Sequence, residues 1–300
     1  MDWQERMTRA IDYLESSLYG EASIEEAARA ANCSTFHFFR IFEIVTGLGP
    51  AEYLRRRRLS EAALALAGGG QEKVIDLALR FGYESPDAFA RAFRREFGCL
   101  PSEARKAGTA LHAYPRLSFS VVLKGDMAME YRIETGPGLE LAGISISATS
   151  QDGSNFALVP AFWDEIMRDG RFKALLAKMD PKGMALCGVC RDFDMQSGEF
   201  TYSVAIDRPA SMEGMPALSE IFKVPASTWG KFTSRGPLRP NLQETIKRIF
   251  SEWMPASEWE HAGPAEIEFY PGADSQSQDY WCEYWVPLKK GSRLLVPRSS

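Results

Sequence analysis

A glutamate stands between two tryptophans in the segment 280–288 of this 300-residue chain. The alternation of a β-strand puts Trp281, Glu283 and Trp285 on one face. A carboxylate flanked by indole rings could hold a flat or cationic organic molecule, because the rings stack and the carboxylate opposes positive charge. The same spacing also fits an edge strand with a solvated glutamate beside surface aromatic side chains. Spacing alone leaves both interpretations open.

Other residues that could do chemistry are scattered. Cys187 and Cys190 form a CxxC pair, but they fall in a predicted strand, where positions three apart face opposite sides. No second cysteine pair or nearby histidine completes a zinc set, and no GxSxG motif occurs. The sequence therefore predicts no metal, no cofactor and no catalytic residue, and we expect a protein that is not an enzyme.

Composition indicates an ordinary globular protein, with 45% hydrophobic and 25% charged residues. The five cysteines are an odd number without a pattern, which argues against a disulfide framework. The first residues lack a signal-peptide pattern, and no apolar run reaches the length of a membrane span. We expect a cytoplasmic protein without a membrane partner. The net charge of −5 hides an asymmetry, because 29–106 carries 13 basic and 9 acidic residues whereas 126–300 carries 18 and 24.

The first hundred residues show helical periodicity with short breaks. A short helix, a tight turn and a longer helix occur twice, about fifty residues apart, joined by one helix with Arg55-Arg56-Arg57-Arg58 in its sequence. This is the arrangement by which proteins insert one helix into the major groove while bracing it on another. Two such units side by side predict a DNA-binding domain.

The exposed face of each second helix should contact DNA. Once the apolar residues are assigned to the core, the first helix-turn-helix leaves Thr35, Phe36, Phe39 and Arg40 for this face. The second helix-turn-helix leaves Asp87, Ala90, Arg91 and Arg94. Arg40 is the best candidate base reader, because a guanidinium can donate to both acceptors of a guanine. The two phenylalanines could touch thymine methyl groups or belong to the core.

The four consecutive arginines cannot all face one DNA backbone, because neighbouring helical residues point about 100° apart. At most two should touch phosphate, and Arg57 is the candidate. The others should lie on a solvated face or pair with carboxylates such as Glu52 and Glu61.

These motifs resemble the DNA-binding domain of the AraC/XylS family. The resemblance covers about 8–106, through IEEAARAANCSTFHFFRIFEIVTGLGPAEYLRRRRL and VIDLALRFGYESPDAFARAFRREFGCLPSEAR. It implies two recognition helices entering successive major grooves, with Pro86 added to the contacts of the second. It also implies promoter DNA and RNA polymerase as partners, and activation rather than repression.

Beyond residue 111 the texture changes to alternating apolar and polar residues. Eight segments have the pattern of strands: 129–135, 139–149, 184–192, 199–207, 219–225, 228–234, 265–270 and 280–288. Two predicted helices, 156–179 with a break at Gly170 and 240–254, interrupt them. The order strand, strand, helix, strand, strand is given twice, which predicts an α+β domain of two related halves.

Residues 127–289 resemble the gyrase-inhibitor-like effector-binding domain of bacterial multidrug-responsive regulators. The matching stretches are VPAFWDEIM, FKVPASTWGKFTSRGPL, ETIKRIFSEWMPASEWE, EIEFYP and CEYWVPL. The resemblance implies two strand-helix-strand-strand repeats around a groove, with Glu283 in the ligand pocket and Trp163 and Tyr202 as further contacts. Some relatives of this domain are hydrolases of small reactive molecules that also use a pocket glutamate, so the alternative is a hydrolase joined to a DNA-binding domain.

The sequence therefore predicts a two-domain transcription regulator, all-α at its N-terminus and α+β at its C-terminus. The expected boundaries are 1–108 for the DNA-binding domain, 109–126 for a linker that packs rather than dangles, 127–290 for the effector domain and 291–300 for a tail. The expected effector is a small organic molecule, aromatic or cationic.

Overall fold

The computed structural model describes residues 3–68, 72–106, 111–118, 128–149, 154–194, 197–263, 265–272 and 274–291. The chain divides into two compact units. The first consists of Met1–Phe38 and Gly49–Val122, and the second of Phe39–Leu48 and Leu123–Ser300. The predicted tail, apart from Gly291, lies outside the described residues.

The N-terminal region is helical, as the periodicity predicts. Its helices are α1 (Trp3–Ser16), α2 (Ile24–Ala30), α3 (Thr35–Thr46), α4 (Pro50–Ala67), α5 (Val74–Arg80), α6 (Pro86–Phe97) and α7 (Pro101–Ala104). The side chain of Ser23 accepts the backbone N–H of Glu26 at 3.2 Å, and Ser85 accepts that of Ala88 at 3.1 Å. These serine caps satisfy amides that have no partner inside the helix, which is why α2 and α6 begin where they do.

An apolar cluster joins α4, α5 and α6 in the first unit. Phe89 and Phe93 lie one turn apart on α6 and are fully buried, and they pack with Leu59, Leu77 and Phe81. The ring centroids of Phe89 and Phe93 are 5.6 Å apart. Because this stripe faces the core, the opposite face of α6 is left to solvent.

The described part of the predicted linker, 111–118, is hydrogen-bonded to α4, whereas most of the apolar run 117–123 on which the packing prediction rested lies outside the described residues. The backbone N–H of Tyr114 donates to Ser60 at 2.8 Å, and the backbone N–H of Leu117 donates to the hydroxyl of Tyr53 at 3.2 Å. Ser60 and Tyr53 are both buried.

The C-terminal region combines one sheet with helices. Its strands are β1 (Tyr131–Gly136), β2 (Leu139–Thr149), β3 (Leu186–Arg191), β4 (Glu199–Asp207), β5 (Glu220–Val224), β6 (Ser227–Arg235), β7 (Trp259–His261), β8 (Glu266–Tyr270) and β9 (Trp281–Lys290). Its helices are α8 (Asn155–Arg168), α9 (Arg171–Leu176), α10 (Leu238–Arg248) and α11 (Met254–Ala256), with a π-helical segment at Ile249–Trp253. The predicted break at Gly170 is present, since this residue has φ +87° between α8 and α9.

The sheet has the internal symmetry that the repeat predicts. Its strands run in the order β1-β6-β9-β8-β3-β4-β2-β5, all antiparallel, and β7 pairs with β9. When β1–β4 are matched with β5, β6, β8 and β9, the order reads the same from either edge. The halves meet where β3 pairs with β8, and the first strand of each half pairs with the other half. The short strand β7 and the π-helical segment are additions that the sequence pattern did not predict.

No helix among the described residues is long and apolar enough to cross a membrane.

Candidate functional site

The exposed face of α6 carries the predicted contacts of the second recognition helix. Asp87, Arg91 and Arg94 are exposed, and Pro86 and Ala90 are half-buried beside them. A spacing of three and four residues brings these side chains onto one side of the helix, away from the buried phenylalanines. Within the described residues neither arginine forms an ion pair. The row can therefore present guanidinium groups to a duplex.

The turn before α6 is set by glycine. Gly82 has φ +77°, and a side-chain carbon placed on it would lie 3.1 Å from a guanidinium nitrogen of Arg58. Arg58 donates to the carbonyl oxygens of Leu18 at 3.1 Å and Ser17 at 3.0 Å. A left-handed, close-packed position of this kind favours glycine. The second helix-turn-helix is thus tied to the segment that follows α1.

The first recognition helix presents fewer of its predicted contacts. Thr35 and Phe36 are half-buried. Phe39 is 2% exposed, so the alternative that assigned it to the core describes this structure. Arg40 is 7% exposed, and its guanidinium donates to Glu43 and Glu266. The candidate base reader is therefore held inside the protein, because carboxylates accept three of its five N–H groups and burial keeps the others from a base.

The four consecutive arginines, Arg55 to Arg58, form hydrogen bonds and ion pairs within the protein. Arg57 is buried and donates to Glu15, to Glu61 and to the backbone carbonyl of Tyr114, each at 2.8 Å or 2.9 Å. Its predicted phosphate contact does not fit this placement, because these oxygens occupy its N–H groups. Glu52 pairs with both Arg55 and Arg56, as expected, whereas Glu61 pairs with Arg57, the residue expected at phosphate.

Glu283 lies in the interior of the sheet, not on an edge strand. Strand β9 pairs with β6 and β8, and Glu283 is 3% exposed. It accepts the indole N–H of Trp285 at 2.7 Å and two N–H groups of Arg132, one of them at 3.1 Å. The ammonium of Lys231 lies 4.0 Å from the ring centroid of Trp285. The protein's own cations therefore occupy the positions that a cationic ligand would take beside Glu283.

The other two predicted effector contacts, Trp163 and Tyr202, lie with a different carboxylate. The hydroxyls of Tyr202 and Tyr270 donate to Glu268 at 2.6 Å and 2.7 Å. The indole N–H of Trp163, on α8, donates to the Tyr202 hydroxyl at 2.9 Å, and its ring meets that of Tyr270 edge to face at 5.6 Å. We call Trp163, Tyr202, Glu268 and Tyr270 the Glu268 cluster. No ion pair with Glu268 occurs in the part of the chain that the structure describes.

Gly188 makes room for this cluster at the junction of the two halves. It pairs with Glu268 across β3 and β8. A side-chain carbon on it would lie 2.4 Å from the Tyr202 hydroxyl and 2.5 Å from the Glu268 carboxylate, closer than atoms pack. Only glycine allows that hydrogen bond to pass over the strand.

The electrostatics of Glu268 follow from its surroundings. Burial raises the pKa of Glu268 above its ordinary value, and the negative charge of Glu266 adds to this, although hydrogen bonds from Tyr202 and Tyr270 act in the opposite direction. The positive charge of Arg239 also lowers this pKa, but no cation of the described residues forms an ion pair with Glu268, so a cation placed directly beside this buried carboxylate would be stabilised.

The five predicted effector residues thus form two groups on different faces of the sheet. Trp281, Glu283 and Trp285 share one face, and Trp163 and Tyr202 meet Glu268 on the other. Glu268 was missed by sequence reasoning. The available signal was the alternation of Glu266, Glu268 and Tyr270 in EIEFY, which puts two carboxylates and a hydroxyl on one face of β8.

Comparison with known proteins matches both regions. Residues 27–107 match a helix-turn-helix domain family, and residues 129–289 match the GyrI-like small molecule binding domain. The right origin-binding protein of Escherichia coli (strain K12) is 26% identical over 292 residues, which cover 93% of this chain and 96% of that protein. The transcriptional regulator Rob of Salmonella typhimurium is 24% identical over 290 residues, with the same coverage. An uncharacterized HTH-type transcriptional regulator of Bacillus subtilis, YbfP, is 35% identical over 105 residues, which are 35% of each chain.

Together these findings define a DNA-binding transcription regulator with a small-molecule-binding domain. The chain belongs to the GyrI-like small molecule binding domain family, and its N-terminal region is a helix-turn-helix domain of the AraC type.

Proposed function

We propose that this regulator reads promoter DNA chiefly through the exposed face of α6 and is controlled by an organic cation bound at the Glu268 cluster. One observation carries the effector proposal: the buried carboxylate of Glu268 accepts hydrogen bonds from two tyrosine hydroxyls, and among the described residues no cation contacts it. Aromatic rings beside a carboxylate favour a ligand that has both positive charge and a flat apolar surface.

The DNA contacts that we propose follow from exposure and charge. Arg91 and Arg94 are the cations of the exposed row on α6, with Pro86, Asp87 and Ala90 beside them. On the first recognition helix Thr35 and Phe36 remain candidates at the N-terminal end. Arg40 can read a base only after it leaves its carboxylate partners, and Phe39 supports the helix from the core.

Glu283 is a weaker candidate for the ligand carboxylate than Glu268. Arg132 already neutralises the charge of Glu283, and Lys231 already covers the ring of Trp285 beside it. A cationic ligand would have to displace the guanidinium of Arg132 before it reached the carboxylate. At Glu268, which has no ion pair among the described residues, a cation would supply a direct ionic partner, and this favours binding there.

The effector proposal can be tested with two ions of the same shape and opposite charge. Tetraphenylphosphonium and tetraphenylborate are both bulky and aromatic, and they differ in the sign of their charge. We expect the cation alone to raise the melting temperature of the wild-type protein. We expect this rise to be lost in Glu268→Gln, which keeps the shape of the side chain, and to persist in Glu283→Gln. Loss in Glu283→Gln alone would place the site on the other face.

We further propose that the domain binds its effector without turning it over, since binding that prefers one of two states can change transcription without chemistry. The alternative is a hydrolase, and Glu268 would then be its acid or base. Consumption of a ligand by the purified wild-type protein, abolished in Glu268→Gln, would establish that alternative.

The remaining parts of the proposal concern the cellular partners. We propose activation of transcription through contact with RNA polymerase, and action in the cytoplasm, where promoter DNA is found. We also keep the boundaries 1–108, 109–126, 127–290 and 291–300 as proposals. Promoter-driven reporter expression with and without an identified effector would decide between activation and repression.

A further inference from the structure

A network of buried charges surrounds Arg40 in the second unit. The Arg40 Nε atom donates to Glu266 Oε1 at 2.9 Å, a terminal nitrogen donates to the other oxygen of Glu266, and the second terminal nitrogen donates to Glu43. Glu266 also accepts from the hydroxyl of Tyr284 and meets Nε2 of His261 at 2.8 Å. We call Arg40, Glu43, His261, Glu266 and Tyr284 the Arg40 network.

The charges in this network are coupled strongly. Burial opposes ionisation of Glu266, yet the attraction of Arg40 and the hydrogen bond from His261 hold its pKa well below the ordinary value. Burial lowers the pKa of His261, whose Nδ1 accepts the backbone N–H of Gly263 at 2.9 Å. His261 is thus a neutral ring that donates from Nε2 to an ionised Glu266.

Aromatic rings enclose the guanidinium of Arg40. Its central carbon lies 4.9 Å from the ring centroid of Phe193 and 6.0 Å from that of Phe250. Cation–π contacts and a paired carboxylate add to each other in a site shielded from water. Two parallel N–H groups of Arg40 therefore point at the two oxygens of Glu266, in the same geometry in which an arginine donates to the two acceptors of a guanine.

The two uses of Arg40 exclude each other. Reading a guanine requires two free N–H groups on one edge of the guanidinium. Glu266 takes those of Nε and one terminal nitrogen, Glu43 takes one on the other terminal nitrogen, and at 7% exposure the remaining N–H groups are out of reach of a base. Glu43 lies on α3 with Arg40 and can accompany it, but Glu266 lies on β8. Glu266 is thus the partner that has to be exchanged for DNA.

We propose that Glu266 is an internal competitor that occupies Arg40 in the absence of DNA, so that breaking the Arg40–Glu266 ion pair is a step in DNA binding. This inference rests on the proposed role of Arg40 as a base reader. The carboxylate mimics the two acceptors of a guanine edge, and its removal lowers the cost of presenting Arg40 to the duplex.

A set of variants of the full chain tests the competition. The probe is a duplex that the wild-type protein selects from a pool of random sequences, and the measurement is the dissociation constant at one fixed salt concentration. We expect Glu266→Gln to tighten binding by about tenfold, because an ion pair no longer has to be broken. In an Arg40→Ala background, which itself weakens binding, Glu266→Gln should then change nothing.

A charge-matched control separates this effect from a general one. Glu140 is an exposed carboxylate on β2 that pairs with Arg208 and Lys223, and Glu140→Gln removes the same charge without touching Arg40. We expect it to leave the affinity within about twofold of the wild type, because an exposed charge is screened by salt and contributes little. Equal tightening by Glu140→Gln and Glu266→Gln would overturn the proposal.

The outcomes distinguish the inference from the function on which it rests. Tightening by Glu266→Gln in both backgrounds would show that it does not act through Arg40 and would overturn the competition. No tightening, with weaker binding by Arg40→Ala, would overturn the competition and leave Arg40 as a base reader. Unchanged affinity of Arg40→Ala would overturn both.

A measurement on the wild-type chain keeps the test independent of variant folding. The sequence has three histidines, so isotope-labelled histidine gives three sets of ring signals in a nuclear magnetic resonance spectrum. His112→Gln and His37→Gln assign them. We expect the His261 ring nitrogens to shift when the selected duplex saturates the protein, since Glu266 loses Arg40. Unshifted His261 signals at saturation would contradict the proposal.

Discussion

Glu268 and Glu283 lie on opposite faces of the same sheet, on strands that pair directly. Tyr284 stands opposite Glu268, and Phe269 stands opposite Glu283. Because directly opposed residues of an antiparallel pair point to the same side, the two carboxylates point to different sides. One is compensated by Arg132, and the other is held by tyrosine hydroxyls. The two carboxylates are therefore expected to respond differently to pH and to substitution.

The stability contribution of Glu268 should depend on pH. Its pKa is raised in the folded protein by burial, so the folded state binds a proton more readily than the unfolded state. Stability is therefore lost as pH rises from the unfolded pKa, about 4.3, through the folded one. We expect the advantage of Glu268→Gln over the wild type to grow between about pH 4 and pH 7 in urea denaturation without ligand. A difference that is constant across this range would contradict the buried, uncompensated state of Glu268.

Gly188→Ala should disturb the Glu268 cluster directly. The added carbon would lie 2.4 Å from the Tyr202 hydroxyl and 2.5 Å from the Glu268 carboxylate, so one of these groups must move. We expect a cost of about 1–3 kcal/mol in the free energy of unfolding, and loss of the rise in melting temperature that we propose for tetraphenylphosphonium. Gly20→Ala is the control, because nothing lies within 4 Å of the carbon added there. A cluster that tolerates Gly188→Ala without either change would not be packed as described.

Arg132→Ala should destabilise the fold, because the ion pair of Arg132 with Glu283 has a structural role. The variant leaves a carboxylate that is 3% exposed with the indole N–H of Trp285 as a donor but without its guanidinium. Since the Arg132 side chain is itself 45% exposed, we expect a cost of about 1–2 kcal/mol, less than for a fully buried pair. Adding Glu283→Gln should recover part of this loss in urea denaturation. A double variant less stable than Arg132→Ala would argue against the ion pair as the cause.

The sequence predicted the elements of this protein better than the placement of its charges. Val74–Arg80, Leu139–Thr149 and Glu199–Asp207 begin and end where the patterns predict, because helical periodicity, glycines and strand alternation are local signals. The repeat also carried over into the symmetric strand order. Local patterns did not reveal that β1 and β5 each pair with the other half.

The candidate sites were harder to predict because their partners are distant in sequence. Arg40 lies 226 positions from Glu266, and Arg57 lies 42 positions from Glu15. The helical spacing of an arginine is the same whether it is exposed or paired with a distant carboxylate, so the sequence pattern cannot distinguish the two cases. Trp163 and Tyr202 were expected beside Glu283, whereas they lie with Glu268, because the register of β8 and β9 puts the two carboxylates on different faces. Only pairing between strands contains that information.

Binding of DNA by α6 predicts a loss with Arg91→Ala or Arg94→Ala. Both side chains are exposed on the helix face opposite Phe89 and Phe93. If the arginine contacts a base, we expect each substitution to cost about 1–3 kcal/mol of binding free energy. If it contacts a phosphate instead, we expect the slope of log affinity against log salt to fall by about one. Lys223→Ala, which removes an exposed cation on β5, is the control for net charge. Equal losses in all three variants would point to charge alone.

Arg57→Ala should destabilise the first unit rather than weaken DNA contact specifically. The guanidinium connects Glu15 of α1, Glu61 of α4 and the carbonyl of Tyr114 in the linker segment, and only 8% of the side chain is exposed. We expect a cost of about 2–4 kcal/mol in the free energy of unfolding, because two carboxylates lose a shared partner in a largely buried position. Arg29→Ala removes an exposed i,i+3 pair with Glu26 and should cost less than about 0.5 kcal/mol.

The salt dependence of DNA binding separates support from contact for Arg57. A guanidinium that neutralises a phosphate releases counterions, so its removal lowers the slope of log affinity against log salt by about one. Arg57 already faces two carboxylates inside the first unit, and its loss should leave that slope unchanged once folded protein is compared with folded protein. A reduced slope with unchanged stability would return Arg57 to the DNA interface and show that its carboxylate partners give way to phosphate.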